Sequence, residues 1–248
     1  MAQTTVKGIL EKPEANNNKG EFSYLANGEE VKLSATMVKK YLVSGDASAV
    51  TDQEVMMFLT LCKYQHLNPF LREAYLIKYG NSPATIVTGK DTFTKRAAKN
   101  PNYKGKEAGI IVINLNGQIE QREGTFALKD EQIVGGWARI FAKDREPELY
   151  TVSFDEYAGR KKDGSLNNQW ATKPATMIRK VAVVQGLREC FPEDFEGLYS
   201  PEEMATANPN VDVNKIVSED DAPVVVQESE PEQTAQAETV DPSAALFG

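Results

Sequence analysis

The chain has 248 residues, 41% hydrophobic and 26% charged, which suits one large or two small domains of a soluble globular protein. No apolar run approaches the roughly 20 residues of a membrane span, and the first residues lack the apolar core of a signal peptide. The net charge of −8 averages unlike regions: residues 201–248 hold 11 acidic side chains and one lysine, whereas residues 60–188 hold 21 basic against 13 acidic. A basic body with an acidic tail points to a surface for a polyanion and a separate segment that repels, regulates or recruits. Cys62 and Cys190 stand alone and far apart, which argues against a disulfide framework and for a reducing cytoplasm.

Residues 1–20 are polar and Asn-rich and are expected to be disordered. Glu21 to Leu33 predicts a hairpin turning at Asn27-Gly28. Ser34 then caps a short helix reaching about Leu42. Thr51-Asp52-Gln53-Glu54 is a capping box, opening a helix with Val55, Phe58, Leu59 and Cys62 on one face. Leu67-Asn68-Pro69-Phe70 ends it, because a residue before proline avoids the helical region. Strands are predicted at 72–79, 85–88, 109–114, 118–126, 133–141 and 148–154, with Asn116-Gly117 as a hairpin turn. One helix interrupts them, capped by Asp91 and ending at Asn100-Pro101. A last helix starts at Pro174, a residue suited to the first helical position, and runs to Phe191. The expected domains are a disordered segment 1–20, a body 21–204 and a disordered acidic tail 205–248. Strands clustered mid-chain with helices towards the ends indicate an α+β fold, an antiparallel sheet supported by helices.

The last helix carries cations where apolar residues are expected. Met177, Val181, Val184, Leu187 and Phe191 recur at helical spacing, and Arg188 falls inside that stripe. Ile178, Ala182 and Val183 make other faces apolar too. A desolvated guanidinium needs an anion. Two readings stand: an internal pair with a carboxylate, or Arg179, Lys180 and Arg188 lining a groove for an external phosphate. Further basic residues are distributed: Lys95, Arg96, Lys99, Lys104 and Lys106 around Asn100 to Tyr103, then Arg139, Lys143, Arg160 to Lys162, and Lys173. Phe93, Tyr103, Trp137, Phe141, Tyr157 and Trp170 lie among them. Basic groups that track a backbone, with rings on which bases stack, are what single-stranded nucleic acid requires. Trp137 and Phe141 share a strand face and suit a core better than a stacking platform.

Enzyme signals are weak. Neither G-x-x-x-x-G-K-(S/T) nor G-x-G-x-x-G occurs. Cys62 and His66 are too few ligands for zinc. Asp91, Asp144, Asp155 and Glu156 could hold magnesium in a nuclease, yet Asp91 and Asp155 read as helix caps and Asp144 as a turn residue.

The segments LTLCKYQHLNPFLREAYLIKYG, VTGKDTF, NPNYKG and WATKPATMIRKVAVVQGLRECFPEDFEGLYSPEE resemble the RecT/Redβ single-strand annealing proteins of phages and prophages, the RecT branch more closely. Across about residues 45–200 the matched order is a helix, LNP(F/W), an E-x-Y strand, G-x-D-(T/G)-(F/W), and W-x-x-(K/H)-P-x-x-M-(I/L)-R-(K/H)-x-A-x-x-Q-x-x-R. The resemblance implies an ATP-independent recombinase that coats single-stranded DNA, anneals complementary strands and assembles into rings or helical filaments. It implies a fold similar to the Rad52 annealing core, a bent antiparallel sheet packed against helices. Through the matched motif, Arg179, Lys180 and Arg188 are expected to contact the DNA backbone, joined by Arg139 and Lys143 from the sheet. Lys104 and Lys106 are added on charge alone, and Lys173, the basic residue before Pro174, joins them at the start of the basic helix. No cofactor is expected, ATP included, with magnesium acting on pairing only. The implied partners are single-stranded and annealed duplex DNA, further copies of the chain, a phage exonuclease and a host single-strand-binding protein, in the bacterial cytoplasm and away from membranes. A passive single-strand coat without annealing activity is the alternative. The acidic tail departs from Redβ, whose C-terminal region is a folded helical domain.

Overall fold

The computed structural model describes residues 21–205. The disorder expected at 1–20, and all but Ala205 of the tail expected at 205–248, lie outside the described residues.

Strands β1 (Glu21–Ala26) and β2 (Glu29–Ser34) pair antiparallel around Asn27-Gly28. Both turn residues have positive φ, 55° and 89°, the hairpin geometry that Asn-Gly favours. The Ser34 hydroxyl accepts from the Met37 N–H and caps α1 (Ala35–Met37), which continues as a π-helix through Leu42 into β3 (Val43–Gly45). Helix α2 (Asp52–Tyr64) opens on the expected capping box. Thr51 Oγ1 accepts from the Glu54 N–H at 3.2 Å, and Glu54 Oε2 accepts from the Thr51 N–H at 2.9 Å. Its Val55, Phe58, Leu59 and Cys62 are buried, as the pattern required.

Strands β4 (Ala74–Lys78) and β5 (Thr85–Thr88) are antiparallel, and β3 adds to β4 in parallel. Helix α3 (Lys90–Lys99) takes Gly89 as its N-cap, so Asp91 belongs to the first turn and is not the cap. A Cβ at position 89 would sit 2.3 Å from the Arg72 carbonyl oxygen. The close approach of two backbone segments, rather than a capping carboxylate, decides where this helix begins. Strands β6 (Tyr103–Ile113), β7 (Ile119–Glu123), β8 (Gln132–Ala142) and β9 (Glu148–Ser153) form an antiparallel sheet in the order β7-β6-β8-β9. Short helices α4 (Phe154–Tyr157) and α5 (Asn168–Thr172) lead to α6 (Pro174–Cys190), and α7 (Pro201–Ala205) follows. Ser153 is the N-cap of α4, which moves Asp155 from the expected cap into the first turn.

The architecture is mixed α+β, with antiparallel pairing predominant. The single bent sheet expected from the sequence divides into a two-stranded hairpin, a three-stranded mixed sheet and the four-stranded sheet. Strand β3 pairs over only three residues, too few for an alternating pattern to announce it.

Helix α6 lies across the four-stranded sheet with Pro174 in its first turn. Two glycines permit the approach. A Cβ on Gly136 would come within 2.6 Å of the Ile178 carbonyl oxygen, and one on Gly186 within 2.9 Å of the Tyr150 ring. Ile110, Val112, Ala138, Ile140, Ile178, Ala182 and Leu187 are buried around this seam. At roughly 1.5–3 kcal/mol for each large apolar side chain removed from water, the seam is a substantial apolar contribution to stability. Among the described residues, no helix is long and apolar enough to cross a membrane.

Candidate nucleic-acid interface

The three cations of α6 point to different surroundings. Arg179 Nε donates to the Ala108 carbonyl oxygen of β6 at 3.1 Å, and no carboxylate among the described residues pairs with its guanidinium. Lys106, half-buried on β6, has its ammonium pKa lowered first by burial and then by the charge of Arg179. Two like charges thus share a helix–sheet seam, and an anion arriving there would relieve both.

Lys180 and Arg188 instead turn to α7. Lys180 Nζ pairs with Glu202 Oε1, and Arg188 Nη1 pairs with Glu203 Oε1. Arg188 also lies over the Tyr199 ring, 4.7 Å from its centroid. Glu202 is fully buried. For these two residues the chain builds the internal carboxylate pair, the first of the two readings left open by the sequence.

The remaining candidates separate as well. Lys104 is exposed in β6, where the register against β8 shifts before Gly105. Lys143, exposed just past β8, is tied to the same end by its N–H, which donates to the Asn102 carbonyl at 2.7 Å. Arg139 lies elsewhere. Gly136 and Ile140 meet α6, so by strand alternation Trp137 and Arg139 face the other side of the sheet. There Arg139 pairs across strands with Glu107 at 3.0 Å and lies 6.0 Å from the Trp137 ring centroid. Both partners are about two-fifths exposed, so this pair adds little to stability. Lys173 is exposed at the N-cap of α6.

Several other candidate residues serve the fold. Within the basic cluster around α3, Arg96 serves the fold: Nη1 donates to Gln65 Oε1 at 2.6 Å and to the Asp194 carbonyl at 2.9 Å. Lys99 donates to Asn27 Oδ1. Arg160 pairs with Asp155 at 2.9 Å. Three of the six rings considered as stacking platforms are buried. Phe93 and Trp170 are fully buried, stacked on Phe195 and edge-on to Phe154, and Trp137 is 7% exposed. His66 is a turn residue with φ of 51°, its Nδ1 2.9 Å from the Leu25 carbonyl oxygen. Among the described residues, no group of three His, Cys, Asp or Glu side chains is placed to hold a metal ion.

Sequence reasoning passed over Arg72 and Lys90. With Lys95, Lys173 and Lys180 they line a cleft of about 340 Å³ between α3 and the α5–α6 corner. Neither belongs to a charge run or a periodic face. The sequence signal for both was their place in segments that carry the resemblance, Arg72 in LTLCKYQHLNPFLREAYLIKYG and Lys90 in VTGKDTF.

The RecT family model matches residues 28–226. A curated relative is an uncharacterised protein of Ureaplasma parvum serovar 3, 28% identical over 169 residues, a match covering 66% of this chain and 68% of that protein.

Proposed function

This chain belongs to the RecT family, and on that premise we propose that it binds single-stranded DNA and anneals complementary strands during homologous recombination. The observation that carries the reading is the α6–β6 seam, where Arg179 and half-buried Lys106 interact and neither is paired with a carboxylate among the described residues. Backbone phosphate is an anion suited to that place. Neutralising the phosphates of one strand removes the repulsion that slows a second strand's approach. Holding the backbone leaves base edges free, so pairing supplies the sequence specificity. A groove that stabilises the nascent duplex more than either single strand drives annealing without nucleotide hydrolysis. No cofactor enters this scheme, and magnesium acts on pairing only.

Lys104, Lys143 and Lys173 extend the basic surface, Arg139 serves the opposite sheet face, and Lys180 and Arg188 contribute by exchanging the α7 carboxylates for phosphates. The body at 21–204, with a fold similar to the Rad52 annealing core, carries annealing and self-assembly as a ring or helical filament. An exonuclease and a host single-strand-binding protein are its proposed protein partners.

The test is stopped-flow pairing of complementary fluorescent oligonucleotides without ATP, the strands added in sequence and checked on an endpoint gel. Faster pairing with intact strands is expected, and Arg179→Ala slows it. Tight binding with suppressed pairing would replace annealing by a passive coat. Magnesium-dependent cleavage would make the protein a nuclease.

A further inference from the structure

The cleft between α3 and the α5–α6 corner collects positive charge from two sources. One is side chains: Arg72, Lys90, Lys95, Lys173 and Lys180 all line it. Among the described residues, Lys90, Lys95 and Lys173 have no acidic partner within salt-bridge distance, and Lys180 is held by Glu202. Arg72 lies over the ring of Tyr75, 5.9 Å from its centroid.

The second source is backbone. Residues 89–92 of α3 and residues 173, 176 and 177 of α6 reach the same cleft, so two helix N-termini open into it. The helices are 10 and 17 residues long, and neither N-cap, Gly89 or Lys173, supplies a capping side chain. Each end therefore offers first-turn N–H groups and the positive pole of its helix. A lysine at an N-cap works against that pole unless an anion sits between them.

Acidic counterweights within the cleft are few. The Glu73 carboxylate is buried and committed elsewhere, accepting from the Asn68 N–H at 2.8 Å and from Asn27 Nδ2 at 3.1 and 3.3 Å. Asp91, exposed in the first turn of α3, is the other acid lining it. About 340 Å³ falls at the small end of the range for ligand sites, room for one nucleotide unit and not for a duplex.

We infer that this cleft seats a phosphodiester group of the bound single strand, gripped by Lys90, Lys95 and Lys173 and by the two helix N-termini. The inference rests on the single-strand-binding reading and adds to it a contact that α6 alone does not make. Helix α6 then serves two surfaces, Arg179 on the sheet side and Lys173 with Lys180 on the cleft side.

The test measures affinity of the full chain for fluorescent oligo(dT) by anisotropy across a salt series. Wild type is compared with the double variant Lys90→Ala/Lys95→Ala, and with Lys63→Ala on the exposed end of α2 as control. Each lost single-strand phosphate contact lowers the salt slope by about 0.7, so the double variant should lose about 1.4 in slope and about tenfold in affinity. Lys63→Ala should match wild type. Should the double variant fold poorly by circular dichroism, Lys90→Gln and Lys95→Gln separately should each show about half the slope change. Variants with wild-type slope and affinity, in a wild type that binds, overturn this site alone. A wild type that does not bind oligo(dT) overturns the single-strand reading and the site together. Free dTMP, or a glutamate decapeptide at equal ionic strength, is expected not to displace the strand. Displacement by either from wild type but not from the double variant makes the cleft a mononucleotide or acidic-segment pocket and overturns the proposal.

Discussion

Arg179 donates to the Ala108 carbonyl at the sheet, while Lys180, one residue on, meets the buried carboxylate of Glu202. Substituting them should therefore differ in its cost to folding. Arg179→Ala removes one neutral hydrogen-bond acceptor's partner and should cost about 1 kcal/mol in a urea melt, while weakening oligonucleotide binding. Lys180→Ala strands a buried carboxylate and should cost about 3 kcal/mol. The same logic governs Lys78 and Glu54, paired at 2.7 Å with side chains only 6% and 17% exposed. Burial would raise the Glu54 carboxyl, but the Lys78 ammonium and the Thr51 and Ala84 N–H groups hold it down to about 2, against an ordinary 4.5. Because the folded value lies below the unfolded one, the stabilisation is complete above about pH 4.5 and is lost as pH falls towards 2. Glu54→Gln should remove about 2 kcal/mol at pH 7 and much less at pH 3, flattening the acid limb of a stability–pH curve. A constant difference across that range would show that the pair does not act through charge.

At the scale of elements, the fit of α6 on β8 depends on Gly136 under Ile178 and Gly186 under Ile140. Gly136→Ala forces a methyl against a carbonyl oxygen and should cost about 2 kcal/mol, lowering Tm by roughly 4–8 °C. Elements whose cause is local were legible in the chain. Asn27-Gly28 dictates its own turn, Thr51 and Glu54 cap each other within one helical turn, and the apolar spacing from Met177 to Leu187 marks α6. Elements caused by distant contacts were not. Strand β3 exists through its pairing with β4, and the start of α3 is fixed by the Arg72 carbonyl lying against Gly89. For the candidate site, residue type and approximate location were legible, but not the pairing. Nothing local to Lys180 or Arg188 reveals that Glu202 and Glu203 fold back 22 and 15 residues later to meet them. Trp170 shows the same limit: flanking basic residues suggested a platform for bases, whereas packing on Phe154 makes it core.

For the whole molecule, the dominant contrast is a basic body followed by a strongly acidic C-terminal stretch. If that stretch competes with DNA for the cationic surface, a protein ending at Ala205 should bind oligo(dT) more tightly than the full chain at about 20 mM salt. The difference should vanish near 300 mM, where screening confines charge effects to a few ångströms. Equal affinity at every salt would assign the stretch to solubility or to partner docking. The position of α7 decides how such a shortened protein must be cut. Ending the chain at Tyr199 removes Glu202 and Glu203 together with the acidic stretch, and so unmasks Lys180 and Arg188 as two new free cations. A gain in DNA affinity after that cut would measure newly bared charge on α6, and only a terminus at or beyond Ala205 reports on the stretch itself.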